Sequence, residues 1–247
     1  MILTIIVICI IVIIIVLLFH LKKYHYHPLT KNLKIHQNEN YNYKKINNFQ
    51  NHKQLVIVRN YKKLNNLINI ENLQEYNSLI NFIKSDYTIS NVIKGNYDSF
   101  IMLPINFVRP LPILNNLGSL LSISNSIFIT YGKPNTLSSI LSLQYNRNYL
   151  HVIKGEIIIY LIKPYLQSKL YLTSTSDKSI KISKINIQNP ELLLYPEYNE
   201  VDKQLIPIKL RKGNLLFLPN DWSFYIFHKT ESIVLHYQYH TIISKLF

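Results

Sequence analysis

The chain of 247 residues carries 27 Lys and Arg against 13 Asp and Glu, a formal net charge of +14, and its only cysteine is Cys9. A single cysteine excludes an internal disulfide and a cysteine-ligated zinc site, and the length allows a membrane anchor and one ordinary domain but hardly two domains. The lysines are scattered through a chain rich in Ile, Asn, Lys and Tyr, a composition typical of A- and T-rich genomes, viral ones among them, so the positive charge alone does not predict nucleic-acid binding.

The first twenty residues are strongly apolar. Residues 2–19, ILTIIVICIIVIIIVLLF, contain no charge, Gly or Pro, and as a helix they would extend about 27 Å, close to the hydrocarbon thickness of a bilayer. The run lacks the basic start and the cleavage site of a signal peptide. We therefore predict a single transmembrane anchor over residues 1–20. Because Lys22 and Lys23 follow it, the positive-inside rule predicts that the rest of the chain lies in the cytosol.

Residues 21–50 are polar and rich in Asn, Lys, Tyr and His, with little apolar periodicity. This pattern predicts a basic linker. Lys22, Lys23, Lys31 and Lys34 would contact anionic lipid headgroups, each contributing up to about 1 kcal/mol near the surface. A linker that is solvated along its whole length is the alternative.

Residues 51–247 are predicted to fold as one domain. The segment 54–58, QLVIV, has the pattern of a buried strand, and apolar residues at helical spacing predict a helix from about Asn72 to Lys84. Strand patterns with Gly, Pro, Asn and Asp between them then occur in FIMLPI, SIFITYG, GEIIIYLIKP, QLIPIKL, NLLFLP, SFYIF and SIVLHYQY and in residues 180–187. Many short strands separated by turn residues predict a β-sandwich or barrel with the helix packed outside it.

The order of these segments resembles the cupin-like JmjC family of Fe(II) and 2-oxoglutarate oxygenases. Residues 54–60, QLVIVRN, resemble the first strand of that family, and RKGNLLFLPNDW at 211–222 resembles a later strand and turn. Between them, Asn148, Gly155 and Pro164 keep the family's spacing. The resemblance implies a mostly β fold, a double-stranded β-helix of the cupin or jelly-roll type with a few flanking helices, preceded here by the N-terminal transmembrane helix.

In that family, two histidines and one carboxylate hold the iron. In the same register, the first histidine and the carboxylate fall on Ser142 and Gln144, the second histidine falls on Phe224, and the lysine that binds 2-oxoglutarate falls on Ile157. Asn148 is retained. Large apolar groups avoid the cost of a buried, unpaired polar group, so we interpret these five positions as a vestigial pocket converted into core. We predict no catalytic, cofactor-binding or metal-binding residues, although the family's cofactors would be Fe(II) and 2-oxoglutarate.

A shift of register does not restore the iron ligands. Residues 134–150 contain no His, Asp or Glu, and the nearest candidates to Phe224 are Asp221 and His228. Four residues along a strand would separate His228 from Phe224 by about 13 Å. The ligand chemistry is therefore missing from the whole neighbourhood, whichever register is chosen.

The sequence thus predicts a membrane-anchored, catalytically inactive cupin-like domain that acts as a scaffold or binds a protein partner. One alternative is an active Fe(II) and 2-oxoglutarate oxygenase whose metal ligands have moved to His151, His228, His236 or His240. Another is a charge-driven protein that binds anionic lipid or nucleic acid, with an affinity that falls steeply as the salt concentration rises.

Overall fold

The computed structural model describes residues 2–24, 34–51, 53–61, 80–82, 101–107, 122–145, 147–174 and 180–241. The helices in this part of the chain are α1 (Ile2–Tyr24), α2 (Tyr43–Asn51), a 3-10 helix (Pro164–Leu170) and α3 (Tyr198–Asp202). The strands are β1 (Ile35–Asn40), β2 (Leu55–Asn60), β3 (Ile80–Phe82), β4 (Ile101–Phe107), β5 (Ser122–Gly132), β6 (Thr136–Leu137), β7 (Leu141–Leu143), β8 (Arg147–Lys154), β9 (Glu156–Ile162), β10 (Leu172–Ser174), β11 (Ile180–Ser183), β12 (Ile206–Arg211), β13 (Leu215–Pro219), β14 (Ser223–His228) and β15 (Ser232–Thr241).

The described strands form two sheets that pack face to face. One sheet has eight strands in the order β1-β2-β13-β8-β15-β5-β4-β3. The other has seven, in the order β10-β11-β7-β14-β9-β12, with β6 paired to β14. Strand β1 runs parallel to β2, whereas β13, β8, β15 and β5 pair antiparallel in succession. The mostly β sandwich with few helices that the sequence predicts is confirmed.

Apolar side chains from both sheets meet between them in a core that we call the inner cluster. Every second residue of a strand contributes, because side chains alternate between the two faces of a sheet. Burying each large apolar side chain contributes roughly 1.5–3 kcal/mol. The inner cluster contains Leu55, Ile57, Phe128, Leu141, Leu143, Tyr145, Leu150, Val152, Ile157, Ile159, Leu161, Ile180, Ile208, Leu210, Leu216, Leu218, Trp222, Phe224, Ile226 and Val234.

A second apolar cluster, the outer cluster, lies on the other face of the seven-stranded sheet. Ile162 and Tyr225 belong to it and directly follow Leu161 and Phe224 of the inner cluster in the sequence. The 3-10 helix and α3 cover this face. The outer cluster contains Ile140, Ile162, Leu166, Leu170, Ile185, Tyr198, Val201 and Tyr225.

The apolar N-terminal run is helical, as the sequence predicts, and belongs to α1. The side chains of this helix are described at residues 4–16 and 18, and the large apolar ones among them are exposed. In the part of the chain that the structure describes, no helix has the length and apolarity needed to cross a bilayer.

The linker predicted over residues 21–50 includes residues that the structure places in the fold. Strand β1 lies beside β2 with Ile35 opposite Leu55, and Ile46 of α2 is only 2% exposed. Sequence periodicity could not reveal these elements, because β1 joins the sheet through its backbone and α2 buries little apolar surface.

The helix predicted from about Asn72 to Lys84 lies outside the described residues, except for residues 80–82. Ile80–Phe82 form β3, which pairs with β4 so that Ile80 lies opposite Phe107. Cross-strand pairing with a long neighbouring strand therefore decides the local conformation there, against the helical spacing of the apolar residues.

Candidate functional site

The predicted vestigial pocket lies where β7 runs beside β14. Leu141 and Leu143 of β7 and Phe224 of β14 belong to the inner cluster, and Phe224 lies directly opposite Leu141 in the antiparallel ladder. Tyr145, two residues beyond Leu143, belongs to the same cluster. Since residues two apart share a face of a strand, the interior positions of this segment carry only aliphatic or aromatic side chains.

Ser142 alternates with those residues and lies on the opposite face of the sheet. Its hydroxyl accepts hydrogen bonds from Nε2 of Gln167 at 2.6 Å and from Nε2 of Gln144 at 3.2 Å. Gln167 belongs to the 3-10 helix and also donates to the backbone carbonyl of Asp221 at 2.8 Å. The structure thus does not bring Ser142 and Gln144 together with Phe224. Both contribute to the attachment of the 3-10 helix to the outside of the sheet.

Ile157 and Phe224 are brought together, since both belong to the inner cluster and both are 0% exposed. Asn148 is equally buried but lies on the facing, eight-stranded sheet. Its Nδ2 donates to the backbone carbonyls of Tyr145 at 3.1 Å and Leu218 at 3.4 Å. Asn148 therefore links the entry of β8 to β13, while Ile157 and Phe224 form part of an apolar wall.

These side chains do not fit Fe(II) and 2-oxoglutarate. A facial triad needs imidazole and carboxylate ligands, and Leu141, Leu143 and Phe224 offer no lone pair. The carboxylate of 2-oxoglutarate needs a cation, but Ile157 supplies none. Among the described residues, Arg147 is the buried cation, and its guanidinium bonds to α2. No group of three or more His, Cys, Asp or Glu within the described ranges is placed to hold a metal ion.

His236 and His228, two of the histidines considered as relocated ligands, each contact a hydroxyl. The His236 ring lies in the interior with its centroid 6.2 Å from that of Phe224, and its Nε2 is 2.7 Å from Oγ1 of Thr130. Nδ1 of His228 is 2.5 Å from Oγ of Ser232. Burial, together with the nearby His228, lowers the pKa of His236 to about 3. Burial also lowers the pKa of His228 to about 4, so both rings are neutral at neutral pH.

The other two histidines lie elsewhere. His151 is opposite Leu235 in the ladder between β8 and β15, so it faces away from the interior, and its ring centroid is 5.2 Å from that of Tyr61. The ring of His240 lies 4.1 Å from that of Tyr145. His240 is four residues beyond His236 on one strand, about 13 Å along it. The structure therefore does not assemble the four histidines into one site.

Sequence reasoning missed a polar row on the interior face of the eight-stranded sheet. Gln238 is 0% exposed and lies opposite Asn148 in the ladder. Within the described residues, neither amide atom of Gln238 nor Oδ1 of Asn148 has a hydrogen-bond partner. The signal was the alternation in HYQYH, residues 236–240, which places His, Gln and His on one face and two tyrosines on the other. The interior therefore has one apolar wall and one partly polar wall.

Comparison with known proteins identifies one family and two similar solved structures. Residues 117–245 match the protein family described as a cupin-like domain. No curated protein sequence matches the chain. Among solved structures, hydroquinone 1,2-dioxygenase from Sphingomonas sp. TTNP3 with 4-hydroxybenzoate bound is 13% identical with a TM-score of 0.32, and the match covers 53% of this chain and 72% of that one.

A second similar structure is oxalate oxidase in complex with the substrate analogue glycolate. It is 13% identical with a TM-score of 0.29, and the match covers 47% of this chain. The matched part spans 42% of the oxalate oxidase chain.

Proposed function

Because the chain belongs to the cupin-like domain family, we propose that it is a member whose sandwich no longer binds iron and that it acts as a membrane-held binding module. The observation that carries this proposal is the chemistry of the wall formed by Leu141, Leu143 and Phe224, which are 1%, 1% and 0% exposed. Filling the metal position with packed hydrocarbon gains the free energy of apolar burial and removes the cost of unpaired polar ligands. A domain that gains this stability loses the side chains that would hold the metal of an oxygenase.

The first test is metal content. The full-length chain is purified in detergent without chelator, incubated anaerobically with Fe(II) with and without 2-oxoglutarate, desalted and assayed for iron by mass spectrometry. We expect iron far below stoichiometry and no effect of 2-oxoglutarate. The matched variant is His236→Gln, which removes the interior imidazole. Stoichiometric iron that 2-oxoglutarate tightens and that His236→Gln abolishes would establish the relocated-ligand oxygenase instead.

The membrane attachment is the second part of the proposal, and it is supported by the apolar run 2–19 and by the helix α1 that contains it. The large apolar side chains described for that helix are exposed on all sides, as the side chains of a helix surrounded by lipid would be. The test is extraction of membranes with alkaline carbonate. We expect the chain to stay in the pellet and the variant with Ile11→Lys and Ile13→Lys to be released, since each central lysine costs about 2.5–3.5 kcal/mol. A matched variant with Leu at both positions stays in the pellet.

Binding of an anionic partner is a second candidate function, and a specific groove favours it. The groove has a volume of about 370 Å³ between β2 and β12, with Ile57 and Ile208 among its lining residues and Arg59, Lys209 and Arg211 as its cations. Lys209 forms an ion pair with Glu156 at 3.2 Å, so the two arginines would carry an anion.

The groove is tested with a soluble short-chain lipid. Dihexanoyl phosphatidylserine should bind the detergent-solubilised chain more tightly than dihexanoyl phosphatidylcholine, and the difference should shrink as salt rises. Arg59→Gln with Arg211→Gln should remove the preference, whereas Lys203→Gln, outside the groove, should keep it. Equal binding of the two lipids would rule this function out.

A further inference from the structure

A cleft on the outside of the seven-stranded sheet has the size and lining of a binding site. Its volume is about 560 Å³, within the range of roughly 300–1,000 Å³ that is usual for ligand pockets. Tyr160 of β9 and Tyr225 of β14 line it, and their rings stack with centroids 4.8 Å apart and planes at 13°. The cleft lies at the margin of the outer cluster, between the sheet and α3, and is separate from the inner cluster and its vestigial pocket.

The cleft is lined by aromatic rings, and the buried hydroxyl of one of its tyrosines has no hydrogen-bond partner among the described residues. Tyr198 of α3 and Phe227 of β14 add two further rings to the stacked pair. Tyr198 is 2% exposed, and its hydroxyl makes no hydrogen bond to any described residue. Buried tyrosine hydroxyls ordinarily have a partner. Tyrosine rings are among the groups that contact organic cations in proteins.

The segment that forms one side of the cleft is acidic, in a chain that is basic overall. Glu191, Glu197, Glu200 and Asp202 are four of the 13 acidic residues in a chain of net charge +14. Glu200 forms an ion pair with Lys169. Asp202 lines the cleft, and no hydrogen bond or ion pair joins its carboxylate to another described residue. An exposed carboxylate beside aromatic rings favours a cationic ligand.

Asp202 lines the same cleft as the rings of Tyr160, Tyr198 and Tyr225. Burial raises the pKa of Tyr198 to about 12, and the charge of Asp202 contributes to the increase. Burial also raises the pKa of Tyr225, with smaller contributions from Tyr198, Tyr160 and Asp202. The hydroxyls therefore stay neutral at neutral pH, so Asp202 supplies the negative charge of the cleft.

Exposed leucines at the rim of the cleft add an apolar surface beside it. Leu192 lines the cleft and is 46% exposed. The next two residues, Leu193 and Leu194, are 100% and 62% exposed. Adjoining exposed leucines of this kind mark interaction surfaces. A small free amine would leave them in water, whereas a polypeptide that enters the cleft with one side chain would cover them with its neighbours.

We propose that this cleft binds a lysine side chain of a partner polypeptide, with the ammonium against Asp202 and the tyrosine rings and with flanking apolar residues on Leu192–Leu194. A single carboxylate beside aromatic rings suits the compact charge of an ammonium, whereas a guanidinium favours a planar, bidentate partner. The inference rests on the proposed role as a binding module and names the chemistry of its partner. It does not involve the interior of the sandwich.

The test measures binding of four probes to the full-length chain in detergent by isothermal titration calorimetry. The probes are the peptide acetyl-Leu-Lys-Leu-amide, the same peptide with norleucine for lysine, the same peptide with arginine, and cadaverine. We expect the lysine peptide to bind most tightly, and Asp202→Asn to weaken it roughly fivefold to tenfold. Tyr160→Leu should weaken it by a similar factor. Glu191→Gln, an acidic residue of the same loop that does not line the cleft, is the matched control and should bind as the parent chain does.

Each other outcome overturns the inference in a recognisable way. Equal affinity for the lysine and norleucine peptides would show an apolar surface without cation recognition. Cadaverine binding as tightly as the lysine peptide would identify a site for free polyamines. Self-association lost in Asp202→Asn would identify a second copy of the chain as the occupant, and retention on neutral lipid vesicles that is lost in Leu193→Ser would identify a lipid surface. No binding of any probe would leave the cleft without a cationic ligand, while the iron assay would still decide the proposed loss of metal.

Discussion

Phe224 and Leu141 lie opposite each other on the neighbouring strands β14 and β7, and both side chains are buried in the inner cluster. Phe224 also reaches the facing sheet, where its ring lies at 24° to the ring of His236. Phe224, which the sequence resemblance aligns with an iron-binding histidine, is thus a packing contact between the two sheets. We therefore expect the side chain of Phe224 to stabilise the fold of the domain.

Truncation of Phe224 should therefore destabilise the fold strongly. For Phe224→Ala we expect a loss of about 3–5 kcal/mol in the free energy of unfolding, because a cavity remains in a closely packed core. Phe224→Leu should lose less because it leaves a smaller cavity. Urea unfolding followed by near-ultraviolet circular dichroism measures both. Leu193→Ala, at a fully exposed position, should change the free energy by no more than about 0.5 kcal/mol. If Phe224→Ala behaved like that control, the packing role would be wrong.

The buried histidines should make the fold less stable in acid. Burial lowers the pKa of His151 to about 3 and that of His228 to about 4, and burial with the nearby His228 lowers that of His236 to about 3. In the unfolded chain these groups titrate near pH 6.5, so the unfolded state binds more protons between those values. Their stabilising contribution is therefore complete above about pH 6.5 and is lost as the pH falls.

The expected loss is up to about 1.4 kcal/mol per pH unit for each histidine. Urea unfolding between about pH 7 and about pH 5 measures it. His236→Gln removes one titrating group and should make the decline less steep, whatever it does to stability at neutral pH. A stability that is unchanged across this interval would contradict the neutral, buried state of the three rings.

The strand patterns were predictable because alternating and continuous apolar runs report burial directly. GEIIIYLIKP, for example, predicts the strand found at Glu156–Ile162, which is covered on both faces by the inner and outer clusters. Which side chains of a short strand point to the interior could not be predicted in the same way. Leu141, Ser142 and Leu143 are all buried, so composition alone does not tell which of them points inward.

The tyrosine cleft could not be predicted from the sequence either. Tyr160, Tyr198 and Tyr225 belong to three separate elements, and nothing in their spacing indicates that they meet. The cluster of four acidic residues between 191 and 202 was visible in the sequence. Its meaning depends on α3 lying against the outer face of β9 and β14, which is a consequence of the tertiary fold.

Gly132 should not tolerate a side chain, because the ring of His228 occupies the space beside it. A Cβ placed there would overlap the ring of His228. Gly132→Ala should therefore cost about 1–3 kcal/mol of stability, the usual range for overpacking. His228→Ala removes the ring, so the double variant should be more stable than the sum of the two single losses predicts.

Gly155→Ala is the matched comparison for that cycle. Gly155 has a positive φ of 80°, and a Cβ there would overlap the backbone carbonyl of Glu231. Because the obstacle is backbone, truncating His228 should not relieve it. Strictly additive losses in Gly132→Ala with His228→Ala would contradict the proposed steric coupling.

Arg147 should hold helix α2 against the sandwich. Its guanidinium is 4% exposed and donates to Oε1 of Gln50 at 2.8 Å and to Oδ1 of Asn47 at 2.9 Å. A lysine has no fork of donors to reach both amides, and hydrogen bonds to a buried charge contribute about 1.5–3 kcal/mol each. We therefore expect Arg147→Lys to speed amide hydrogen exchange in α2 and to lower the free energy of unfolding.

Arg59→Lys is the matched control, because Arg59 bonds to Gln37 in an exposed pair, and it should leave exchange in α2 unchanged. Equal exchange in the two variants would mean that α2 is held by its apolar contacts alone, with Ile46 as the buried one.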